Sequence, residues 1–439
     1  MDMLKDKVKP LYFKLLASAA GSSFITCIFG FVDAMVVGKY HGPDGTAALA
    51  VFIPIWSFMY GLGFITGIGG SVLFSNDRGS GEKKSSNEYF TVSVIYSLIL
   101  AVVTFLVIHF FSEPLFRFFG ADDTLLPLAQ KYLQGVKIAL PFCIFSNLLA
   151  AYLRNDGNAV LATVAVLVGG AFNLFGDIFF VFTCDMGILG AGLATAGSLI
   201  ISVLIMLTHF LTKKNTLKLV KPTKAIYRFG KITAVGFPTA LNDIAAGIIA
   251  ILFNRQIMKY LNSDALAVYG ILTQVTAFVQ CCAYSVGQAA QPIMSQNLGA
   301  KQNGRIKECL RYGLYTTAAF GVLWTALTLL VPNAFVHFFM TPTESVLAIA
   351  PKIIGTYGLS YLLLTFNIFS TYYFQATLHP TASTVVSVGR GLVISSIAIM
   401  LLPMAFGGDA IWFAMLVTEL AVGAFAAWQM LRCTKQLKD

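Results

Sequence analysis

Long stretches of mostly apolar residues alternate along this chain with short polar segments. An α-helix rises about 1.5 Å per residue, so about 20 apolar residues are enough to cross a hydrocarbon layer about 30 Å thick. The pattern predicts an all-α integral membrane protein with twelve transmembrane helices. The predicted spans are 11–38, 46–74, 88–111, 124–152, 158–182, 189–211, 227–258, 264–296, 306–331, 345–376, 380–404 and 408–433.

The basic residues are concentrated in every second polar segment. They are densest before the first span and between residues 213 and 231, whereas the alternate segments hold little more than Lys39, Arg117 and Lys259. Lysine and arginine accumulate in the cytoplasmic loops of membrane proteins. The asymmetry therefore predicts a multi-pass protein of the cell (cytoplasmic) membrane with both termini in the cytoplasm, which agrees with the even number of spans.

Short sequence matches recur at a nearly constant distance. Lys39-Tyr40 is repeated as Lys259-Tyr260, and Ala48-Leu49-Ala50-Val51 is repeated as Ala265-Leu266-Ala267-Val268. Each pair is separated by close to 220 residues. Such a period indicates two copies of one six-helix unit in the same orientation, which is a parallel repeat about an axis along the membrane normal.

The repeat predicts a division of the chain into two lobes. We expect an N-lobe of helices 1–6 at 1–211, a basic cytoplasmic linker at 212–231, and a C-lobe of helices 7–12 at 232–439. Transporters built in this way bind their substrate in a central cavity between the two halves and alternate its access by rocking them. The duplication therefore favours a transporter over an enzyme or a receptor.

The composition excludes several other classes of protein. Hydrophobic residues make up 57% of the chain and charged residues 11%, whereas a soluble domain carries about 25% charged residues. The net charge of +10 comes from the polar segments between spans, so we expect no nucleic-acid partner. We find no HExxH or GxSxG motif, no phosphate-binding loop and no Cys/His zinc spacing. We therefore expect a secondary transporter without a cofactor.

Polar side chains inside the apolar spans mark a candidate ion site. Asp33 lies in span 1, Asn173 and Asp177 lie one turn apart on one face of span 5, and Thr195 lies in span 6. Asp33 and Asp177 lie near the ends of spans that run outward, and Thr195 lies near the start of a span that runs inward, so at about 1.5 Å per residue all three lie within about 10 Å of the outer end. Oxygen ligands of this kind bind a small hard cation, and two neighbouring carboxylates also retain a proton. We predict that these four residues bind the coupling ion, H⁺ or Na⁺.

The alternative for these residues is a purely structural hydrogen-bonded contact between helices. Shifting by the repeat distance places Phe253, Val393, Ile397 and Met415 at the equivalent positions of the second half. The polar group is thus absent from the second half. A structural contact would more naturally have been duplicated, so the asymmetry favours a functional site.

Several motifs resemble those of the multidrug and toxic compound extrusion (MATE) family. They are Gly67-Ile68-Gly69-Gly70 followed by Ser75-Asn76, the segment from Pro292 to Ala300, Arg154-Asn155-Asp156-Gly157-Asn158, and the segment from Gly187 to Thr195. The resemblance covers nearly the whole chain. It implies an antiporter that exports cationic or amphipathic organic compounds, such as drugs and dyes, in exchange for protons or sodium.

The resemblance also carries specific residues. The DinF-like branch of the family has an Asp in helix 1, an Asn-x-x-x-Asp in helix 5 and a Thr in helix 6, which match Asp33, Asn173, Asp177 and Thr195. One departure concerns the proline that family members usually have near the start of helix 1. Ser18 occupies the corresponding position here. A mechanism in which helix 1 bends at a proline is therefore in doubt.

Two further polar pairs lie inside the second-half spans. Asn242 and Asp243 in span 7 either line the cavity or form structural hydrogen bonds, and the sequence favours neither. Glu419 in span 12 and Arg390 in span 11 are able to pair, because unpaired charges at this depth are costly. Glu419 and Arg390 are also secondary candidates for lining the cavity, but for this pair we favour a structural role.

The remaining expectations concern partners. We predict small cationic or amphipathic organic substrates, contact with membrane lipid and a monomeric protein. The alternative is a flippase for a lipid-linked or polar lipid substrate of the same superfamily. Such proteins tend to line their cavity with basic residues, whereas the charges near the predicted cavity here are mostly acidic.

Overall fold

The computed structural model describes residues 1–340 and 343–437, with Pro43 described by its backbone only, and within these ranges all regular structure is helical. Twelve of the helices are long and apolar enough to cross a membrane. They are α1 Val8–Gly42, α2 Asp44–Gly79, α3 Lys83–Phe118, α4 Leu125–Asn155, α5 Ala159–Thr183, α6 Ile188–Leu211, α7 Ala225–Tyr260, α8 Ser263–Gly299, α9 Asn303–Leu330, α10 Glu344–Ala376, α11 Pro380–Phe406 and α12 Gly408–Gln436. The all-α fold with twelve membrane-length helices predicted from the sequence is confirmed.

Most of these helices extend beyond the apolar runs from which they were predicted. α3 is broken at Phe111, with φ −120° and ψ 22°, and its first part, residues 83–110, is about 42 Å long, whereas the hydrocarbon layer is about 30 Å thick. Its first turns, from Lys83 to Asn87, are polar. Hydropathy locates only the part of a helix that lies in hydrocarbon, so the polar ends could not be found from it.

The helices are interrupted at defined places. Gly42, with φ 67° and ψ −154°, separates α1 from α2, and such a conformation is readily adopted only by glycine. It is the single non-helical residue between Val8 and Gly79, so α1 passes through Ser18 without a break. π-helical turns occur at Phe179–Thr183 in α5 and at Gly389–Val393 in α11. Such turns are often found at functional sites.

The chain forms two compact units. One comprises Met1–Asp6 and Ala17–Ala240, and the other comprises Lys7–Leu16 and Leu241–Asp439. In the second unit the start of α1 packs on α9, where the Tyr12 hydroxyl bonds to Thr316 and the Tyr12 ring stacks on Tyr312. The lobe boundaries derived from the repeat stay a prediction.

An aromatic cluster lies in the core of the first unit. Phe52 of α2 packs edge-on against Tyr132 of α4 with 4.9 Å between the ring centroids, and it also contacts Trp56 and Phe116. The same core contains Val37 of α1, which follows Asp33 by one turn and is fully buried. The part of α1 that follows Asp33 is thereby held next to α4.

Candidate functional site

Helices α1 and α5 run side by side in the same direction. The Thr163 hydroxyl donates a hydrogen bond to the carbonyl oxygen of Ser18 over 2.8 Å. Two turns further on, Gly170 lies so close to Ile25 that an added Cβ would meet its side chain at 2.8 Å. Both contacts join residues 145 positions apart, so the two helices are parallel and remain in register.

This register brings two carboxyl groups together. Asp177 lies about two turns beyond Gly170, and Asp33 lies about two turns beyond Ile25. The carboxyl groups of Asp33 and Asp177 lie close enough to interact electrostatically, although neither carboxylate oxygen of Asp177 has a hydrogen-bond partner among the described residues. Two carboxylates this close in a low-dielectric interior repel each other when both are ionised.

Glycines also allow α5 to approach α6 closely. A Cβ at Gly169 would lie 2.6 Å from the carbonyl oxygen of Ser198, and a Cβ at Gly176 would lie 3.0 Å from the Cβ of Ala194. Both distances are shorter than ordinary contacts, so larger residues would force the helices apart. The close approach places α6 within reach of the polar face of α5.

All four residues predicted from the sequence meet at this place. Thr195 Oγ1 donates to Asp33 Oδ2 over 3.2 Å, and Asn173 Nδ2 donates to Thr195 Oγ1 over 3.3 Å. Asp177 lies beside Asp33. We call Asp33, Asn173, Asp177 and Thr195 the quartet. It joins α1, α5 and α6.

The quartet is rich in oxygen atoms without hydrogen-bond donors. Asn173 and Asp177 are fully buried, while Asp33 and Thr195 are half-buried. Four solvent-excluded acceptors receive no hydrogen bond from any described residue: Asp33 Oδ1, Asn173 Oδ1 and both carboxylate oxygens of Asp177. Neither carboxylate forms a salt bridge within the described part of the chain. Buried acceptors are normally satisfied, so this cluster requires an explanation.

A bound cation would satisfy these oxygen atoms. Uncompensated carboxylates in a low-dielectric interior are costly, and a proton or a small hard cation removes that cost. A proton would be shared by the two carboxyl groups, whereas a sodium ion would use the amide oxygen as well. The residues present fit either ion. No group of three or more His, Cys, Asp and Glu residues with metal-binding geometry occurs among the described residues.

Tyr132 is a neighbour of the quartet that the sequence reasoning missed. Its hydroxyl lies beside Asp33, Thr195 and Trp56, and the side chain is buried. From the sequence alone, the simplest interpretation of a tyrosine in an apolar span is a side chain that packs against neighbouring helices. Only the fold shows that α4 places this hydroxyl next to a carboxylate of α1.

The second-half pair Asn242 and Asp243 lies in α7, within buried surroundings. The Tyr284 hydroxyl of α8 donates to Asp243 Oδ1 over 3.2 Å, whereas Asp243 Oδ2 receives no bond from any described residue. Asn242 Oδ1 is likewise buried without a donor in the described ranges. Asn242 and Asp243 belong to the second compact unit, whereas the four quartet residues belong to the first.

The pair Arg390 and Glu419 has a different character. Arg390 Nε donates to Glu419 Oε1 over 2.7 Å, and Asn367 Nδ2 donates to Glu419 Oε2 over 2.6 Å. All three side chains are buried. Because the two charges compensate each other and both carboxylate oxygens are bonded, this cluster holds α10, α11 and α12 together.

Comparison with known proteins identifies the family. The MatE family profile matches residues 19–179 and 238–401. The chain is 24% identical over 401 residues to the multidrug export protein MepA of Staphylococcus saprophyticus, an alignment that covers 90% of this chain and 88% of that protein. The MepA protein of Staphylococcus aureus is 22% identical over the same shares of both chains.

Solved structures share the fold. A structure described as the outward-facing conformation of a multidrug resistance MATE family transporter of the MOP superfamily superposes with a TM-score of 0.91, at 19% identity, and the match covers 100% of this chain and 98% of that one. A second structure is a MOP superfamily transporter from Pyrococcus furiosus, described as having reverse polarity of its binding pocket. It superposes with a TM-score of 0.90 at 20% identity, and the match covers 100% of this chain and 98% of that one. The family resemblance inferred from the motifs is confirmed. The chain belongs to the MatE family of multidrug and toxic compound extrusion transporters, and it is a membrane transporter and not an enzyme.

Proposed function

We propose that this protein is a secondary active antiporter that exports cationic or amphipathic organic compounds in exchange for H⁺ or Na⁺ by alternating access between two lobes. The quartet of Asp33, Asn173, Asp177 and Thr195 binds the coupling ion. The observation that carries this proposal is the group of four solvent-excluded oxygens without donors, which includes two carboxylates without a basic partner among the described residues. The multidrug export activity named for the MepA relatives supports the substrate class.

The position of the quartet suggests how ion occupancy couples to conformation. Its members lie on three helices, and the contact between α1 and α5 depends on two carboxyl groups that repel each other when both are ionised. A bound cation stabilises the arrangement in which α1, α5 and α6 are in contact. Release of the ion removes that stabilisation, so ion binding shifts the population of conformations. Half-buried Asp33 is the member through which the ion enters and leaves.

The remaining features of the proposal follow from the sequence. The site is of the DinF-like type, since it lies in the first six helices. Both termini and the linker 212–231 are cytoplasmic, and the protein acts as a monomer in the cell membrane. Asn242 and Asp243 contribute to the substrate cavity of the second half.

Transport in proteoliposomes with separately imposed proton and sodium gradients tests the proposal. We expect one of the two gradients to drive ethidium transport, and we expect Asp33→Asn and Asp177→Asn each to lower this transport on the order of tenfold or more, because a neutral amide no longer attracts the ion. Asp44→Asn, which changes an exposed carboxylate at the start of α2, serves as the control and leaves the rate unchanged. Unchanged driven transport in both quartet variants would refute the site.

The same assay separates the alternative function. A flippase for a lipid-linked or polar lipid would translocate a fluorescent lipid analogue and not ethidium. If lipid movement depended on Asp33 and Asp177 while dye movement was absent, the substrate class would be wrong and the coupling site would stand.

A further inference from the structure

The segment that connects α6 to α7 is held in an extended conformation along the first unit. We call residues 212–224 the strap. Backbone N–H groups of alternate strap residues donate to side chains beside them: Thr216 to Asp156 Oδ2 over 3.0 Å, Lys218 to Asn87 Oδ1 over 2.9 Å, and Val220 to Thr91 Oγ1 over 3.0 Å. Alternate bonding of this kind is typical of extended backbone. The strap is therefore a fixed element and not a loose tether.

Both ends of the strap are anchored by buried carboxylates. At one end Asp156 accepts from Arg78 and from His209 Nε2, in addition to Thr216. At the other end Glu88 Oε2 accepts from the backbone and the hydroxyl of Thr223, and it forms an ion pair of 2.6 Å with Arg228. Between these anchors Leu217 is buried. The side chains that remain exposed are thus displayed in a defined arrangement.

The exposed side chains of the strap and its borders combine positive charge with large apolar groups. The exposed lysines are Lys213, Lys214, Lys218, Lys221 and Lys224. The apolar side chains are Leu219 at 69% exposure, and Leu211 and Ile226, both at 88%, at the adjoining helix ends. A solvated loop would account for the lysines alone. Leucine and isoleucine this far exposed on a fixed backbone indicate an apolar partner.

The level of the strap indicates what that partner is. The strap joins the ends of two membrane-length helices and is bonded to Asn87 and Thr91, within the first three turns of α3. The part of α3 before its break at Phe111 is about 42 Å long, whereas hydrocarbon is about 30 Å thick, and its polar residues 83–87 come directly before the apolar run. These turns therefore lie at the edge of the hydrocarbon, beside the headgroups. Lysines with neighbouring apolar side chains at this level are typical of a surface that binds an anionic membrane. The methylene groups of the lysines pack on apolar groups, and their ammonium groups bind the phosphates of the lipid headgroups.

We propose that the strap is a lipid-binding surface: its lysines bind the headgroups of anionic phospholipids in the adjacent leaflet, while Leu219 and Ile226 insert among the upper parts of the acyl chains. This interaction is independent of the ion bound at the quartet. It gives the linker between the two lobes a second role, as an element attached to the first unit on one side and to lipid on the other.

Fluorescence quenching in vesicles tests the proposal with the full-length protein. Leu219→Trp places a reporter on the strap, and the signal of the four native tryptophans is measured in the parent protein and subtracted. Vesicles contain phosphatidylcholine with either brominated phosphatidylglycerol or brominated phosphatidylcholine at the same mole fraction. We expect quenching of the reporter by brominated phosphatidylglycerol to be about twofold stronger or more at low salt, and the difference to disappear at about 1 M salt, where screening acts within about 3 Å.

Charge variants make the test specific. Lys218→Gln, Lys221→Gln and Lys224→Gln together abolish the preference for phosphatidylglycerol, whereas Lys5→Gln, Lys301→Gln and Lys435→Gln together, which remove the same charge from exposed positions elsewhere, retain it. Unaltered gel-filtration behaviour shows that both triple variants are folded. A reporter quenched by neither lipid would mean that the strap faces water or protein, and equal quenching by both lipids at low salt would mean that it does not recognise headgroup charge. Either result overturns the proposal.

Discussion

The close contact of α5 with α6 provides a way to disturb the quartet without changing any of its members. Gly169 lies one turn before Asn173 on the same face of α5, and a Cβ at this position would lie 2.6 Å from the carbonyl oxygen of Ser198. An ordinary carbon–oxygen contact is about 3.3 Å or longer, so Gly169→Ala must separate the backbones of the two helices by about 0.7 Å. The added Cβ would also displace the still closer Ser202 hydroxyl, which donates to the carbonyl oxygen of Ala165. The bond from Asn173 to Thr195, 3.3 Å in the structure, would then lengthen to about 4 Å and be lost.

The expected effect of Gly169→Ala on both stability and ion binding follows from this displacement. Overpacking of this kind typically costs about 1–3 kcal/mol. If the same free energy is lost from the ion-bound arrangement, the apparent affinity for the coupling ion falls about 5- to 150-fold. Gly176→Ala, whose Cβ would lie 3.0 Å from the Cβ of Ala194, should give a smaller loss because a displacement of only a few tenths of an ångström relieves this contact.

A matched control is available in α1. Gly30 lies one turn before Asp33, and an added Cβ there would meet nothing within 4 Å. Gly30→Ala should preserve ion affinity and raise stability by up to about 1 kcal/mol, since alanine is the better helix former. The measurement is the ion concentration that gives half-maximal driven transport, together with the melting temperature. If Gly169→Ala retained an affinity within twofold of the Gly30→Ala variant, the claim that helix spacing sets the site would be refuted.

Two further predictions concern stability. Arg390→Met and Glu419→Leu should each destabilise the protein by about 3–5 kcal/mol, because each leaves a buried charge unpaired. The double variant should recover most of that loss in thermal unfolding. Equal losses in all three variants would show that charge pairing is not the cause. Burial acts to raise the pKa of Asp156, but hydrogen bonds from His209, Thr216 and Arg78 lower it overall. The ionised carboxylate therefore stabilises the folded protein above the unfolded pKa of about 3.9. This stabilisation is lost as the pH falls through the lower pKa of the folded state. Asp156→Asn should therefore reduce the melting temperature at neutral pH and flatten its decline below about pH 4, and an unchanged acid limb in this variant would contradict the assignment.

Much of the fold was predictable because membrane insertion leaves a local record in the sequence. Each span is a run of apolar residues, and every second connecting segment carries its own lysines and arginines. The candidate quartet could be found for the same reason, since an aspartate inside an apolar span is conspicuous wherever it occurs. The family motifs are equally local. None of these inferences depends on which helices are in contact with each other.

What only the tertiary structure decided is how the polar residues are paired. Asp33 and Glu419 look alike in the sequence, yet Glu419 is neutralised by Arg390 and Asn367, whereas Asp33 meets a second carboxylate and the Tyr132 hydroxyl. These partners are separated by 29 to 144 positions along the chain, so no local pattern specifies them. The sequence determined that charge is buried in these helices because hydrophobicity is a property of single segments. Helix packing decided which of that charge is left without a partner, because compensation depends on distances between segments that are remote in the chain.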